Sequence, residues 1–255
     1  MKDTLKNIFF KIWYWYISTI DKNAEVIFMN YGYSNNSHKI DLNPEDEKNR
    51  YSAQLYNLVA TGVEISDKNI LEIGCGRGGG LSYVNKYLKP SSVTGVDLNK
   101  KAIEFCKKHY PKNNAIFLQG NAQKLPFNDA SFDAVLNVES SHRYPQIEMF
   151  LAEVYRVLKV DGYFLFTDFR KNTEIERLKE QIIEAKFEFI KDENITQNVV
   201  EALKLATPAR KELIDRIIPK FLNELGNNFA ATVGSPTYNK FSSREFEYVF
   251  YVLKK

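Results

Sequence analysis

Glu72, Gly74, Gly76 and Gly78 alternate with other residues at the end of a short apolar run, Ile70-Leu71-Glu72-Ile73, just before a helical pattern begins. Glycines at such a junction allow a tight turn and let the backbone approach a ligand closely. About 20 residues further on, Asp97 closes a second apolar run, Ser92-Val93-Thr94-Gly95-Val96, and Leu98 follows it. A carboxylate there can accept two hydrogen bonds from a ribose diol, so the pair of features points to an adenosine-containing cofactor. A third group follows the run Phe132–Val138: Asn137, Glu139 and His142. Glu139 and His142 put a carboxylate and an imidazole three residues apart, and histidine is the side chain best matched to proton transfer near neutral pH.

A nicotinamide or flavin dinucleotide is the rival ligand, because Gly74, Gly76 and Gly79 satisfy G-x-G-x-x-G and Asp97 lies at a suitable distance. Glu72 argues against it. An acidic side chain two positions before the first glycine suits the sulfonium of S-adenosylmethionine and is ill placed for a pyrophosphate. The turn also begins near residue 70, after a segment long enough to serve as a lid. A glycine turn with no ligand is the bland alternative.

These residues need a scaffold, and the pattern supplies one. Apolar runs at 70–73, 92–96, 115–118, 132–138 and 162–167 alternate with helical stretches at 81–88, 100–109 and 147–158. Strands alternating with helices of that length mean βαβ units and a parallel sheet with right-handed crossovers. Residues 1–66 read as a helical lid with a polar interruption from Ser34 to Asn43, 67–170 as the cofactor-binding core, 171–226 as a charged helical cap and 227–255 as closing strands. Phe229–Val233 and Phe246–Leu253 are those strands, the last antiparallel at the sheet edge. The expected fold is a single Rossmann-like α/β domain with a seven-stranded, mostly parallel sheet.

Composition narrows the partners. A formal charge of +3 over 255 residues, with acids and bases interleaved, leaves no basic footprint for nucleic acid. Two cysteines, Cys75 and Cys106, are too few for a disulfide framework and suit a reducing, cytoplasmic setting. No metal-ligand spacing links them to His38, His109 and His142. His38 and His109 read as solvated. The window Ile8–Ile17, with Trp13-Tyr14-Trp15-Tyr16, is shorter than the roughly 20 apolar residues of a span. It reads as a packed aromatic helix, or as an interfacial one in peripheral contact with a membrane.

From about residue 69 to 170 the chain resembles class I S-adenosylmethionine-dependent methyltransferases. Asn137-Val138-Glu139-Ser140-Ser141-His142-x-Tyr144-Pro145, Gly162-Tyr163-Phe164, Asp168-Phe169-Arg170, Phe28-Met29-Asn30-Tyr31-Gly32-Tyr33 and the aromatic window are narrower. Together they resemble the phthiotriol/phenolphthiotriol dimycocerosates methyltransferases, over nearly the whole chain and least from 170 to 235. The resemblance implies S-adenosylmethionine as cofactor and Glu72, Gly74, Gly76, Gly78, Asp97, Leu98, Asn121, Ala122 and Asn137 as its binding positions. Asn121 stands where the wider class commonly has an aspartate against the adenine amino group; its amide oxygen can accept the same bond. Tyr33 becomes a candidate to close over the methionine end.

The resemblance also implies O-methylation of a hydroxyl on a bulky lipid or polyketide-type acceptor, with His142 as base and Glu139 as its partner or substitute. Helix capping by His142 and a structural role for Glu139 are the plain alternatives. Arg77 and Arg143 would suit a more polar acceptor. Two other functions stay open: C-methyl transfer to a lipid or sterol-like acceptor, with Glu139 steadying a carbocation, and a non-catalytic cofactor-binding subunit.

Overall fold

The computed structural model describes residues 19, 21, 23–35, 39–110 and 114–255. The aromatic window Ile8–Ile17 and His38 lie outside them. Seven strands form one sheet: β1 (Asn69–Ile73), β2 (Ser92–Asp97), β3 (Ala115–Gln119), β4 (Phe132–Val138), β5 (Leu158–Lys171), β6 (Glu188–Asn194) and β7 (Phe246–Lys254). Their order is β3-β2-β1-β4-β5-β7-β6. The first five are parallel to one another, whereas β7 runs antiparallel to both β5 and β6. The order reverses direction at β1, so the cleft at the carboxyl ends of β1 and β4 is the topological switch point where ligands bind in open α/β sheets.

Among the described residues, eight α-helices pack around the sheet: α1 (Arg50–Ala60), α2 (Gly79–Leu88), α3 (Lys100–His109), α4 (Ile147–Val157), α5 (Ile175–Glu184), α6 (Thr196–Ile217), α7 (Asn223–Phe229) and α8 (Pro236–Ser242). The central strands β1, β2 and β4 are buried on both faces, which is why they read as continuous apolar runs. β7 shows the alternation directly. Tyr248, Phe250 and Val252 join the core beneath α1, α6 and α8, while Val249, Tyr251 and Leu253 join the core beneath α4 and α5.

The structure departs from the sequence reading in three places. Phe229–Val233 is not a strand: it begins at the last residue of α7 and continues as turn. The missing strand is β6, inside the stretch read as a helical cap, so β6 and not β7 forms the sheet edge. Lys191, Asp192 and Glu193 belong there, since charged side chains discourage an exposed edge from pairing with another chain. Residues 23–35 are not helical either. They form an extended strap, and its backbone bonds go to neighbours: Gly79 N to Ile27 O, Tyr33 N to Tyr51 O and Ser34 N to Asn198 O. α6 runs on through Pro208, next to which the Thr207 hydroxyl donates to Leu203 O and accepts from Val233 N.

Among the described residues no helix is long and apolar enough to cross a membrane.

Candidate active site

Glu72 is fully buried, with none of its surface exposed. The Tyr56 hydroxyl donates to its Oε1 at 2.6 Å, and its Oε2 has no partner among the described residues. Tyr56 reaches it because residue 80 is glycine: a Cβ there would stand 1.8 Å from the Tyr56 ring. Burial pushes the Glu72 carboxyl up to about 7, the Tyr56 hydrogen bond works against this, and the Asp97 charge adds to it. A buried carboxylate oxygen without a protein donor is suited to accept from a bound group.

Gly74, Gly76 and Gly78 all have positive φ, +79°, +51° and +76°. Gly76 differs from the other two in what surrounds it. A Cβ on Gly74 would lie 2.4 Å from Ser140 Oγ and one on Gly78 3.0 Å from Cys106 Sγ, whereas at Gly76 only Met29 Sδ is near, at 3.8 Å. Gly74 and Gly78 thus face protein, and Gly76 faces the cradle. Gly76 N donates to Asp97 Oδ2 at 2.8 Å and Asn99 N to Oδ1 at 2.8 Å. Each oxygen keeps a second lone pair for a ribose hydroxyl. Burial raises the Asp97 pKa, and the two backbone bonds oppose the rise.

Beside Asp97, Leu98 leaves 58% of its surface exposed, an apolar shelf over the strand ends. Gly120 N donates to Asp97 O, which draws the turn after β3 alongside. In that turn Asn121 Oδ1 accepts from Gln123 N and Ala122 is buried. Asn137 ties β4 to β1, its Nδ2 donating to Ile73 O at 2.8 Å and Ser140 Oγ at 2.7 Å, and its buried Oδ1 is unpartnered. Tyr33 is not with them. It lines a separate cavity of about 200 Å³ with Ile40, Gln54, Asn57 and Thr61.

A second group of polar side chains lies at the ends of β4 and β5. His142 sits in a single 3-10 turn, Ser141–Arg143, and Asp168 holds it twice. His142 Nδ1 meets Asp168 Oδ1 at 2.7 Å, and the His142 backbone N donates to Oδ2 at 2.9 Å. Ser141 Oγ and Phe169 N donate to the same carboxylate, and Arg170 pairs with it. The His142 side chain keeps 13% of its surface exposed and Asp168 none, so only the histidine reaches the cleft. Burial lowers the His142 pKa despite the raising influence of Asp168, which leaves a neutral imidazole at neutral pH. Burial opposes the Asp168 charge, but His142, Arg170 and the Ser141 hydroxyl outweigh it and hold the carboxyl well below its usual range.

Glu139 is not the partner of His142. Its φ of +49° turns it away, and its Oε2 accepts from Tyr31 N at 2.5 Å. Burial pushes its carboxyl up to about 8; the Tyr31 backbone bond works against the rise and the Asp168 charge adds to it. Asp168 had been visible only as part of the segment Asp168-Phe169-Arg170; the signal for its role is an acid at the carboxyl end of a central strand. Arg77 faces no acceptor. Fully buried, it forms an ion pair with Asp21 at 3.0 Å and lies 3.9 Å over the Phe105 ring, clasping the N-terminal segment to the glycine turn.

An orphaned acid, an open glycine cradle and an aspartate with spare acceptor capacity at a switch point are groups that an adenosyl sulfonium would fit. The methyltransferase domain family matches residues 71–166. The chain is 41% identical to the fatty-acid O-methyltransferase of Mycolicibacterium smegmatis over 84% of its length and 78% of the relative's. It is 36% identical to the phthiotriol/phenolphthiotriol dimycocerosates methyltransferase of Mycobacterium tuberculosis, over 96% and 92% of the two chains. It belongs to the family that contains these two enzymes, and it is an S-adenosylmethionine-dependent methyltransferase.

Solved structures agree on the fold. The cyclase SpnF superposes with a TM-score of 0.70 at 18% identity, over 94% of this chain and 92% of SpnF. A cyclopropane synthase of Mycobacterium tuberculosis gives 0.68 at 13% identity, over 95% and 98%. Their differing reactions show why the acceptor must be argued from the site.

Proposed function

We propose that the chain methylates a hydroxyl oxygen of a long, largely apolar lipid or polyketide-type acceptor, with His142 as the base that removes the hydroxyl proton. The Asp168–His142 pair carries this reading. With Nδ1–H donated to Asp168, the Nε2 lone pair is left for the acceptor, and the aspartate steadies the imidazolium that forms. The same carboxylate fixes the histidine backbone, so the base is held before the acceptor arrives, and positioning is the main task of an in-line displacement. Bound S-adenosylmethionine supplies the electrophilic methyl group. Glu72, Gly74, Gly76, Gly78, Asp97, Leu98, Asn121, Ala122 and Asn137 hold it.

The wall beside His142 supports an apolar acceptor. The Phe169 ring lies 4.5 Å from the imidazole, and Tyr31, Phe241 and Phe246 surround Phe169 within 5.7 Å. Both relatives carry lipid acceptors in their names. C-methyl transfer has less support, since Glu139 is occupied by Tyr31 N and driven toward its neutral form. Residues 23–35 serve as the lid and α6 to α8 as the cap. The aromatic window Ile8–Ile17 gives the lid a peripheral membrane contact, which co-sedimentation with lipid vesicles and its loss on deleting residues 8–17 would test.

The deciding experiment supplies methyl-labelled S-adenosylmethionine and a lipid extract of the source organism. Label should enter the lipid fraction and survive alkaline hydrolysis, as an ether does. Release as methanol would mark an ester and hence an acid as acceptor, and label only in water-soluble amines or nucleic acid would reject a lipid altogether.

A further inference from the structure

One peptide group of the strap is gripped from both ends. Its carbonyl, Asn30 O, accepts from Arg210 Nη2 at 3.2 Å, and its N–H, on Tyr31, donates to Glu139 Oε2 at 2.5 Å. The same Nη2 donates to Tyr31 O at 3.0 Å, and Arg210 Nη1 donates to Ala230 O at 2.6 Å. A guanidinium of α6 and a carboxylate at the end of β4 therefore meet through a single peptide unit. The guanidinium bonds the carbonyl and a Glu139 carboxyl oxygen accepts from the N–H, so one peptide unit is held at both ends.

The grip has a cost and a consequence. Glu139 adopts φ +49°, a conformation that a residue with a β-carbon keeps only where its surroundings impose it. The consequence is the placement of Tyr31, whose ring lies 5.7 Å from Phe169 and 5.2 Å from Phe241. Phe169 is in turn the ring neighbour of His142. Three segments far apart in sequence thus converge on the wall beside the base.

We propose that Arg210 and Glu139 are positioning residues for methyl transfer: together they seat the Tyr31 peptide, so that its ring completes the aromatic wall against which the acceptor lies beside His142. This rests on the acceptor reading above. Neither side chain touches the reacting atoms; both act through Tyr31.

Two measurements on the full chain test it. With S-adenosylhomocysteine bound, amide exchange in residues 23–35 should rise about tenfold or more in Arg210→Met, because bonds to a charged group are lost from both carbonyls. Glu139→Gln keeps an acceptor for Tyr31 N and should give a smaller rise, and Arg210→Lys should restore most of the protection. With hexadecan-2-ol as acceptor, Arg210→Met should lower kcat/KM about tenfold to hundredfold while S-adenosylhomocysteine affinity moves less than about threefold. Unchanged strap exchange in both Arg210→Met and Glu139→Gln would overturn the proposal, as would acceptor and cofactor parameters falling together. If the unaltered chain methylates no alcohol, the acceptor reading fails and the exchange result still decides the clamp.

Discussion

The two halves of the cleft are assembled in opposite ways. On the cofactor side, Glu72 to Gly78 form one unbroken turn, and Asp97 is tied to it by a single bond from Gly76 N. On the acceptor side the elements come from the strap, the ends of β4 and β5, and the cap, so that Tyr31, Glu139, His142, Asp168 and Arg210 meet only after the chain has folded. In the proposed reading the cofactor positions centre on one contiguous turn, while the acceptor positions come together only in the tertiary fold. Substitutions should therefore separate the two functions cleanly.

The strongest separation is expected at His142. His142→Ala should lower turnover by about 10²–10⁴-fold, the usual contribution of a general base, and leave S-adenosylhomocysteine affinity in calorimetry within about threefold. A loss of both would break the distinction between the halves. Asp97→Ala should do the reverse, weakening S-adenosylhomocysteine about tenfold to hundredfold for the lost charged hydrogen bonds, with acceptor KM little altered.

Glu72 gives a subtler test through pH. Its carboxyl has a higher pKa in the folded protein, about 7, than in the unfolded chain, so the folded state binds the extra proton. Its contribution to stability is whole below the ordinary glutamate value and is lost as pH rises through about 7. Glu72→Gln should flatten that decline in chemical denaturation of the ligand-free protein, and an unchanged pH dependence would contradict it. The smallest effect belongs to Tyr33. Because Tyr33 lines a cavity away from the glycine turn, Tyr33→Phe should shift S-adenosylhomocysteine affinity by less than about twofold.

The same contrast explains what the sequence made legible. The glycine turn, Asp97 and six of the seven strands could be read because each is a short contiguous pattern. β6 could not: Glu188, Lys191, Asp192 and Glu193 outnumber its apolar residues, and only the alternation around Phe187 and Phe189 hinted at a strand. His142 stood out by its type, but its partner did not. Three-residue spacing suggested Glu139, while the positive φ of Glu139 sends that carboxylate to the strap and leaves His142 to Asp168, on the neighbouring strand. Arg210 lies in a helix with many other charges and carries no local mark at all. Its role follows from which carbonyls the folded strap presents to it.

The role of the Asp168–His142 pair can be tested most directly by the pH dependence of acceptor kcat/KM in the unaltered enzyme and in Asp168→Asn. A base must be unprotonated to act, and burial lowers the His142 pKa, so activity should fall on the acid side, at a lower pH than an unperturbed histidine would give. Asp168 raises that pKa, so removing its charge should move the acidic limb to still lower pH as the rate drops. A profile without an acidic limb, or a limb that stays in place in Asp168→Asn, would show that His142 does not take the proton.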